Sequence, residues 1–211
     1  MTGAPLTVAL PKGRLAEQTL KLLTRCGVSV PELPPDSRKL VFEAPDGKLR
    51  FILVKPSDVP IYVEYGVADV GIAGRDTILE SRADVYDVLD LKTGRCRMVV
   101  AGPRGARNAA DHAFLRVATK YPHVAEQHFL AKGMSVEVIG LSGSVELAPV
   151  TGLAERIVDL VETGSTLSAH DLVELEVLFH SSARLVVNRA SHKLRYDELA
   201  PLVERLREVV G

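Results

Sequence analysis

The stretch RIVDLVETGSTL, residues 156–167, is an apolar, β-branched run that breaks off into Thr163-Gly164-Ser165-Thr166. Ile157, Val158, Leu160 and Val161 read as a short buried strand, and the following TLSAHDL signals a helix. Strand, polar turn, helix is the unit of an α/β fold, and it recurs along the chain. LTVAL (6–10) is a strand, followed by the loop PKGR. Leu15, Thr19, Leu22 and Leu23 then recur at helical spacing up to Gly27. KLVFEAPDGKLRFILVK (39–55) holds two strand-like runs around Pro45-Asp46-Gly47, a hairpin signal. DVPIYVEYG (58–66) is a helix with Pro60 in its first turn, and ADVGIAG (68–74) and DVYDVLDL (84–91) are strands.

The pattern restarts further on. CRMVVAGP (96–103) and AFLRVATKYP (113–122) contain strands, Pro122 opens a helix that runs to Gly133, and SVEVIGL (135–141) alternates like a strand. GLAER (152–156) reads as a short helix and SARLVVN (182–188) as the last strand. A C-terminal helix from Ser191 or Lys193 to Val210 aligns Leu199, Leu202, Val203, Leu206 and Val210. RMVVAG and ARLVVN look alike. Either strands simply resemble strands, or these two cross between two α/β lobes and the final helix returns to the first. The second alternative gives domains 1–92 plus 183–211, and 93–182, with largely parallel sheets.

The 211 residues are 46% hydrophobic and 25% charged, a globular composition that two domains of about 100 residues fit well. The net charge of −1 provides no basic field to attract nucleic acid or an acidic membrane. Cys26 and Cys96, without a CxxC, fit a reducing compartment or simple core filling. The N-terminus MTGAPLTVALPKGR has no signal-peptide pattern, and no run approaches the roughly 18 apolar residues of a membrane span. The expectation is a soluble, cytoplasmic protein.

The Thr-Gly-Ser-Thr turn has two readings. It is an N-cap in an ordinary turn, or it is a phosphate cradle. In the second, Gly164 lets the backbone approach an anion, Thr163, Ser165 and Thr166 add donors, and Asp159 reaches a sugar hydroxyl. PKGR is the other candidate anion site: Lys12 and Arg14 around Gly13 are either solvated or meet a polyphosphate at a strand end. GIAGRD puts Arg75 and Asp76 after another glycine-terminated strand. His112, His123, His128, His170, His180 and His192 show no HxxxH or HExxH pairing and read as surface or satisfied polar residues.

IVDLVETGST resembles the 5-phosphoribosyl 1-diphosphate (PRPP) loop of phosphoribosyltransferases. GSVELAPVTGLAERIVDLVETGSTL (143–167), LPKGRLAEQTLKLL, PSDVPIYVEYGVADVGIAGRD and RMVVAGP resemble, in the same order, the ATP phosphoribosyltransferase family of histidine biosynthesis. The resemblance covers about residues 6–190. It implies two α/β lobes with a cleft, similar to the type II periplasmic-binding-protein fold. The implied reaction is Mg²⁺-dependent attack of adenine N1 of ATP on C1 of PRPP. The products are N1-(5-phosphoribosyl)-ATP and diphosphate.

By the same resemblance Thr163, Gly164, Ser165, Thr166 and Leu167 hold the 5-phosphate, and Glu146 and Asp159 bind the ribose hydroxyls. Lys12, Gly13, Arg14, Lys55, Arg75 and Asp76 meet ATP or diphosphate, without apportionment between them. Lys55 stands where the family pattern more often has arginine. Glu146, Asp159 and Lys12 form the candidate catalytic set, and Mg²⁺ arrives on substrate phosphates rather than on protein ligands. The length resembles the family's short form, which implies a homodimer and a hetero-oligomer with a regulatory subunit similar to histidyl-tRNA synthetase. A different class also fits two lobes joined by crossing strands: a small-molecule binding protein without chemistry.

Overall fold

The computed structural model describes residues 4–32, 37–105 and 114–211. Its elements begin with β1 (Leu6–Pro11), α1 (Arg14–Arg25), β2 (Val41–Glu43), β3 (Leu49–Val54), α2 (Val59–Glu64) and β4 (Val70–Gly74). Then come α3 (Arg75–Ser81), β5 (Tyr86–Asp90), β6 (Cys96–Pro103), β7 (Leu115–Thr119), α4 (Pro122–Ala131) and β8 (Val136–Gly140). The chain closes with α5 (Leu147–Val150), β9 (Arg156–Val161), α6 (Ser165–Ala169), β10 (Leu172–Ser181), β11 (Ala183–Val187), α7 (Arg189–Leu194) and α8 (Tyr196–Val210). His112 and Ala113, the latter the first residue of the stretch assigned to β7, lie outside the described residues.

Two compact units result, Met1–Gly94 with Ser182–Gly211, and Arg95–Ser181. The first is built on a sheet of order β2-β3-β1-β4-β11-β5. Successive residues of β1 point to opposite faces, as the pleat requires. Val8 and Leu10 join Leu22, Leu23, Phe51, Leu199, Leu202 and Leu206, whereas Ala9 joins Val59, Val63 and Val186. Phe51 is fully buried, so its truncation to alanine should cost about 3–5 kcal/mol.

The second unit is built on a sheet of order β10-β6-β9-β7-β8. One face of it packs Met98, Val100, Val117 and Val158 against Val124 and Phe129 of α4. The other packs Val99, Ala101, Ala118 and Ile157 against Ala148 of α5 and Leu167 of α6.

The architecture is two lobes of mixed α/β type, but four pairings are parallel and five antiparallel among the described residues, so the sheets are not mostly parallel. The hairpin β2–β3 and the strands flanking the two passages between units (β5, β6, β10, β11) account for the antiparallel pairs. Two further expectations change. GLAER is a helix exit rather than a helix. Gly152, at φ +74°, takes the left-handed conformation that ends α5, and Leu153 N–H donates back to Ala148 O at 2.9 Å. The C-terminal helix starts earlier and is split: Asn188 Oδ1 accepts from the N–H groups of Ala190 and Ser191, capping α7, and the helix is interrupted at Arg195. Finally, β10 and α3 were not foreseen.

Candidate active site

Strand β9 sits between β6 and β7 in the second unit's sheet. Asp159 shares the face of Ile157 and Val161, the side on which α5 and α6 pack, and is therefore half-buried. Its Oδ1 accepts the N–H of Leu160 at 2.8 Å. Burial pushes its carboxyl pKa up, and the nearby Glu146 carboxylate pushes it further. The Leu160 N–H and the Lys120 ammonium oppose the rise. Glu146 occupies the N-cap position of α5. The two acids are thus near enough to interact because Asp159 lies within β9 and Glu146 opens the helix packed over that strand.

After Val161 the chain turns through Glu162 and Thr163 into α6. Thr163 Oγ1 and Ser165 Oγ share a hydrogen bond of 3.0 Å. Gly164 has φ +86° and ψ 0°, a left-handed conformation costly for any residue with a Cβ. Space is not the constraint, since an added Cβ would meet its nearest atom, Glu174 Oε1, at 3.7 Å. Leu167 is buried in the core and anchors α6, leaving its backbone N–H at the loop. With only five residues, α6 has a short stack of peptide dipoles, so anion affinity must come chiefly from individual N–H and hydroxyl donors. Glu146 and Asp159 through Leu167 line one cavity of about 300 Å³. Every residue expected to bind PRPP borders it.

The basic candidates lie in the first unit. Pro11 pairs with Val54 in the parallel β1–β3 ladder, so Lys12 and Lys55 leave adjacent strand ends side by side; Lys12 N–H donates to Val54 O at 2.9 Å. Strand β4 lies parallel to β1 on the other flank and delivers Arg75 to the same carboxyl edge of the sheet. Lys12, Gly13, Arg14, Lys55 and Arg75 are exposed there. Asp76 differs: it is buried in the first turn of α3, and a Cβ on Gly74 would stand 2.4 Å from its Oδ1. Gly74 thus makes the room in which the Asp76 carboxylate sits.

A family model described as HisG, ATP phosphoribosyltransferase, matches residues 55–208. The chain belongs to the HisG family. It is 49% identical to an ATP phosphoribosyltransferase of Syntrophotalea carbinolica, over 98% of this chain and 95% of that one. It is 50% identical to the ATP phosphoribosyltransferase of Caldanaerobacter subterraneus over 98% of both chains. Among solved structures, it is similar to a chain of the ATP phosphoribosyl transferase (HisG:HisZ) complex from Thermotoga maritima. The TM-score there is 0.85 at 36% identity, covering 97% of this chain and 98% of that one.

In this HisG-family chain, sequence reasoning missed three charged groups around the loop. Thr119 pairs with Val158, which places Lys120 beside Asp159. Arg97 and Glu174 form an ion pair next to Glu162 and Gly164. A strand-end lysine after RVAT was the one available signal; nothing local marks the ion pair. Among the described residues no group of three or more His, Cys, Asp or Glu side chains could hold a metal ion, and no helix is long and apolar enough to cross a membrane.

Proposed function

We propose that the chain transfers the 5-phosphoribosyl group of PRPP to N1 of the adenine of ATP, with inversion at C1 and release of diphosphate. The observation that carries this reading is the single cavity in which Asp159 and Glu146 face the hydroxyl-rich turn 163–166. The turn's N–H and hydroxyl donors hold the 5-phosphate. Oδ1 of Asp159 is taken by Leu160 N–H, so Oδ2 is the oxygen offered to a ribose hydroxyl, with Glu146 serving the neighbouring one. Ribosyl transfer develops positive charge on the ring, which the two carboxylates stabilise from fixed positions. Adenine N1 is the nucleophile, so none is required from the protein.

Lys12, Gly13, Arg14, Lys55, Arg75 and Asp76 meet ATP or diphosphate in this reading, the four cations supplying positive charge. The carboxylates of Glu146 and Asp159 and the hydroxyls of Thr163, Ser165 and Thr166, all hard oxygen donors, border the cavity and suit Mg²⁺ carried on the diphosphate. The ion's contribution is to neutralise leaving-group charge. Calorimetric titration with PRPP and Mg²⁺ tests the site. Saturable binding that Gly164→Val weakens about 100-fold is expected, and equal binding by both chains would remove the loop from it.

Lys55→Arg is expected to keep or raise activity, because a guanidinium adds a bidentate grip on diphosphate. A collapse of turnover in that variant would place Lys55 elsewhere in the mechanism.

The curated relatives are of nearly the same length as this chain, and the solved neighbour is a complex with a second protein, HisZ. Both findings support an assembly with a regulatory subunit, which in this reading resembles histidyl-tRNA synthetase and joins a homodimer of the chain in the cytoplasm. Feedback by histidine then requires that subunit, since coupling needs a second site. Turnover of the isolated chain should be indifferent to histidine and become sensitive when the partner is added. Inhibition of the isolated chain at low histidine would contradict this arrangement.

A further inference from the structure

We propose that Arg97 and Glu174 are a positioning pair for the phosphate loop, setting the affinity for PRPP without touching it. The proposal rests on the reading of residues 163–167 as the 5-phosphate site. Arg97 lies on β6 opposite Val161, the last residue of β9, and so stands where the loop begins. Its Nη1 donates to the carbonyl oxygen of Glu162 at 3.2 Å. Its Nε donates to Glu174 Oε2 at 2.7 Å, and Nη2 to Glu174 Oε1. Glu174 comes from β10, on the other side of β6. Both side chains are 28% exposed, buried enough for the fork to hold one geometry.

Two consequences for an anion follow. First, Arg97 fixes the Glu162 carbonyl oxygen, which in a loose loop can rotate and present negative charge to a phosphate. Second, Glu174 Oε1 sits 3.7 Å from where a Gly164 side chain would begin, directly beside the turn. A bare carboxylate there repels a phosphate dianion, and the Arg97 guanidinium cancels that charge. The same contact holds the Glu174 pKa below the usual carboxylate range. A pair that only stapled β6 to β10 would change thermal stability and nothing specific to PRPP.

The test is steady-state kinetics on the full chain, with its regulatory subunit present where turnover needs it, for Arg97→Met, Glu174→Gln and the double variant. Arg97→Met should raise the KM for PRPP about tenfold or more and leave the KM for ATP within about twofold. Glu174→Gln should raise it less. The double variant should recover much of the Arg97→Met loss, because the unpaired carboxylate is gone. An unchanged PRPP KM in Arg97→Met, or a double variant as weak as Arg97→Met, overturns the proposal. Should Arg97→Met fail to fold, Arg97→Lys decides: a selective rise in PRPP KM supports the fork, and wild-type behaviour overturns it. Gly164→Val separates the two levels. If it too leaves PRPP KM unaltered, the loop assignment itself falls; if it raises KM while Arg97→Met does not, only the pair's role falls.

Discussion

Asp159→Asn is expected to lower turnover by about two to three orders of magnitude while leaving the melting temperature unchanged or higher. Loss of one preorganised charge aimed at a developing cation is worth about that much. The stability half follows from the raised pKa of Asp159 in the fold. An acid whose folded pKa exceeds its unfolded value disfavours folding while ionised, and that penalty is relieved as pH falls through the folded pKa. Asparagine removes the penalty and keeps an oxygen for the Leu160 N–H. The same shift predicts that wild-type turnover falls with acidification at a pH above the ordinary aspartate range, as the carboxylate is protonated. Glu146→Gln should follow the kinetic pattern, with turnover falling more than PRPP affinity. A pure rise in PRPP KM at constant turnover would show that the acids only hold the ground state.

Gly164→Val is expected to weaken PRPP binding about 100-fold with little loss of fold. Valine cannot adopt φ +86° without strain, so the turn rearranges and its N–H groups leave their positions. Loss of one or two charge-assisted hydrogen bonds, about 1.5–3 kcal/mol each, gives that order of effect. The loop is exposed at Thr163, Ser165 and Thr166, so the damage stays local. Unchanged affinity by calorimetry would remove the loop from the site.

Legibility in the sequence followed how local each signal is. Strand β1, the hairpin at Asp46-Gly47 and the hydroxyl turn after β9 are written in contiguous residues and were readable. Strand β10 was not. Register shifts between Glu174 and Glu176 and between Val177 and Phe179 break its alternation, so LVELEVLFHS lacks a clean period of two. Helix α3 starts at once from a strand without a capping side chain, leaving no start signal. The α5 exit was misread because Gly152 closes a helix four residues long, too short to show periodicity. Asp159 was singled out by its place ahead of the hydroxyl turn and Glu146 through motif resemblance, but the half-buried setting of Asp159 needed the packing of α5 and α6. Arg97 and Glu174, 77 residues apart, are joined only by sheet order, which no local pattern reveals.

A transferase joins PRPP to ATP, where a binding protein only holds them, and product formation separates the two. Purified chain, alone and with its regulatory subunit, is incubated with ATP, PRPP and Mg²⁺, and N1-(5-phosphoribosyl)-ATP and diphosphate are quantified. Both products are expected in equal amounts, with production cut by Asp159→Asn and Gly164→Val. Binding of PRPP and ATP without either product, under both conditions, would contradict transfer and leave a two-lobed binding protein.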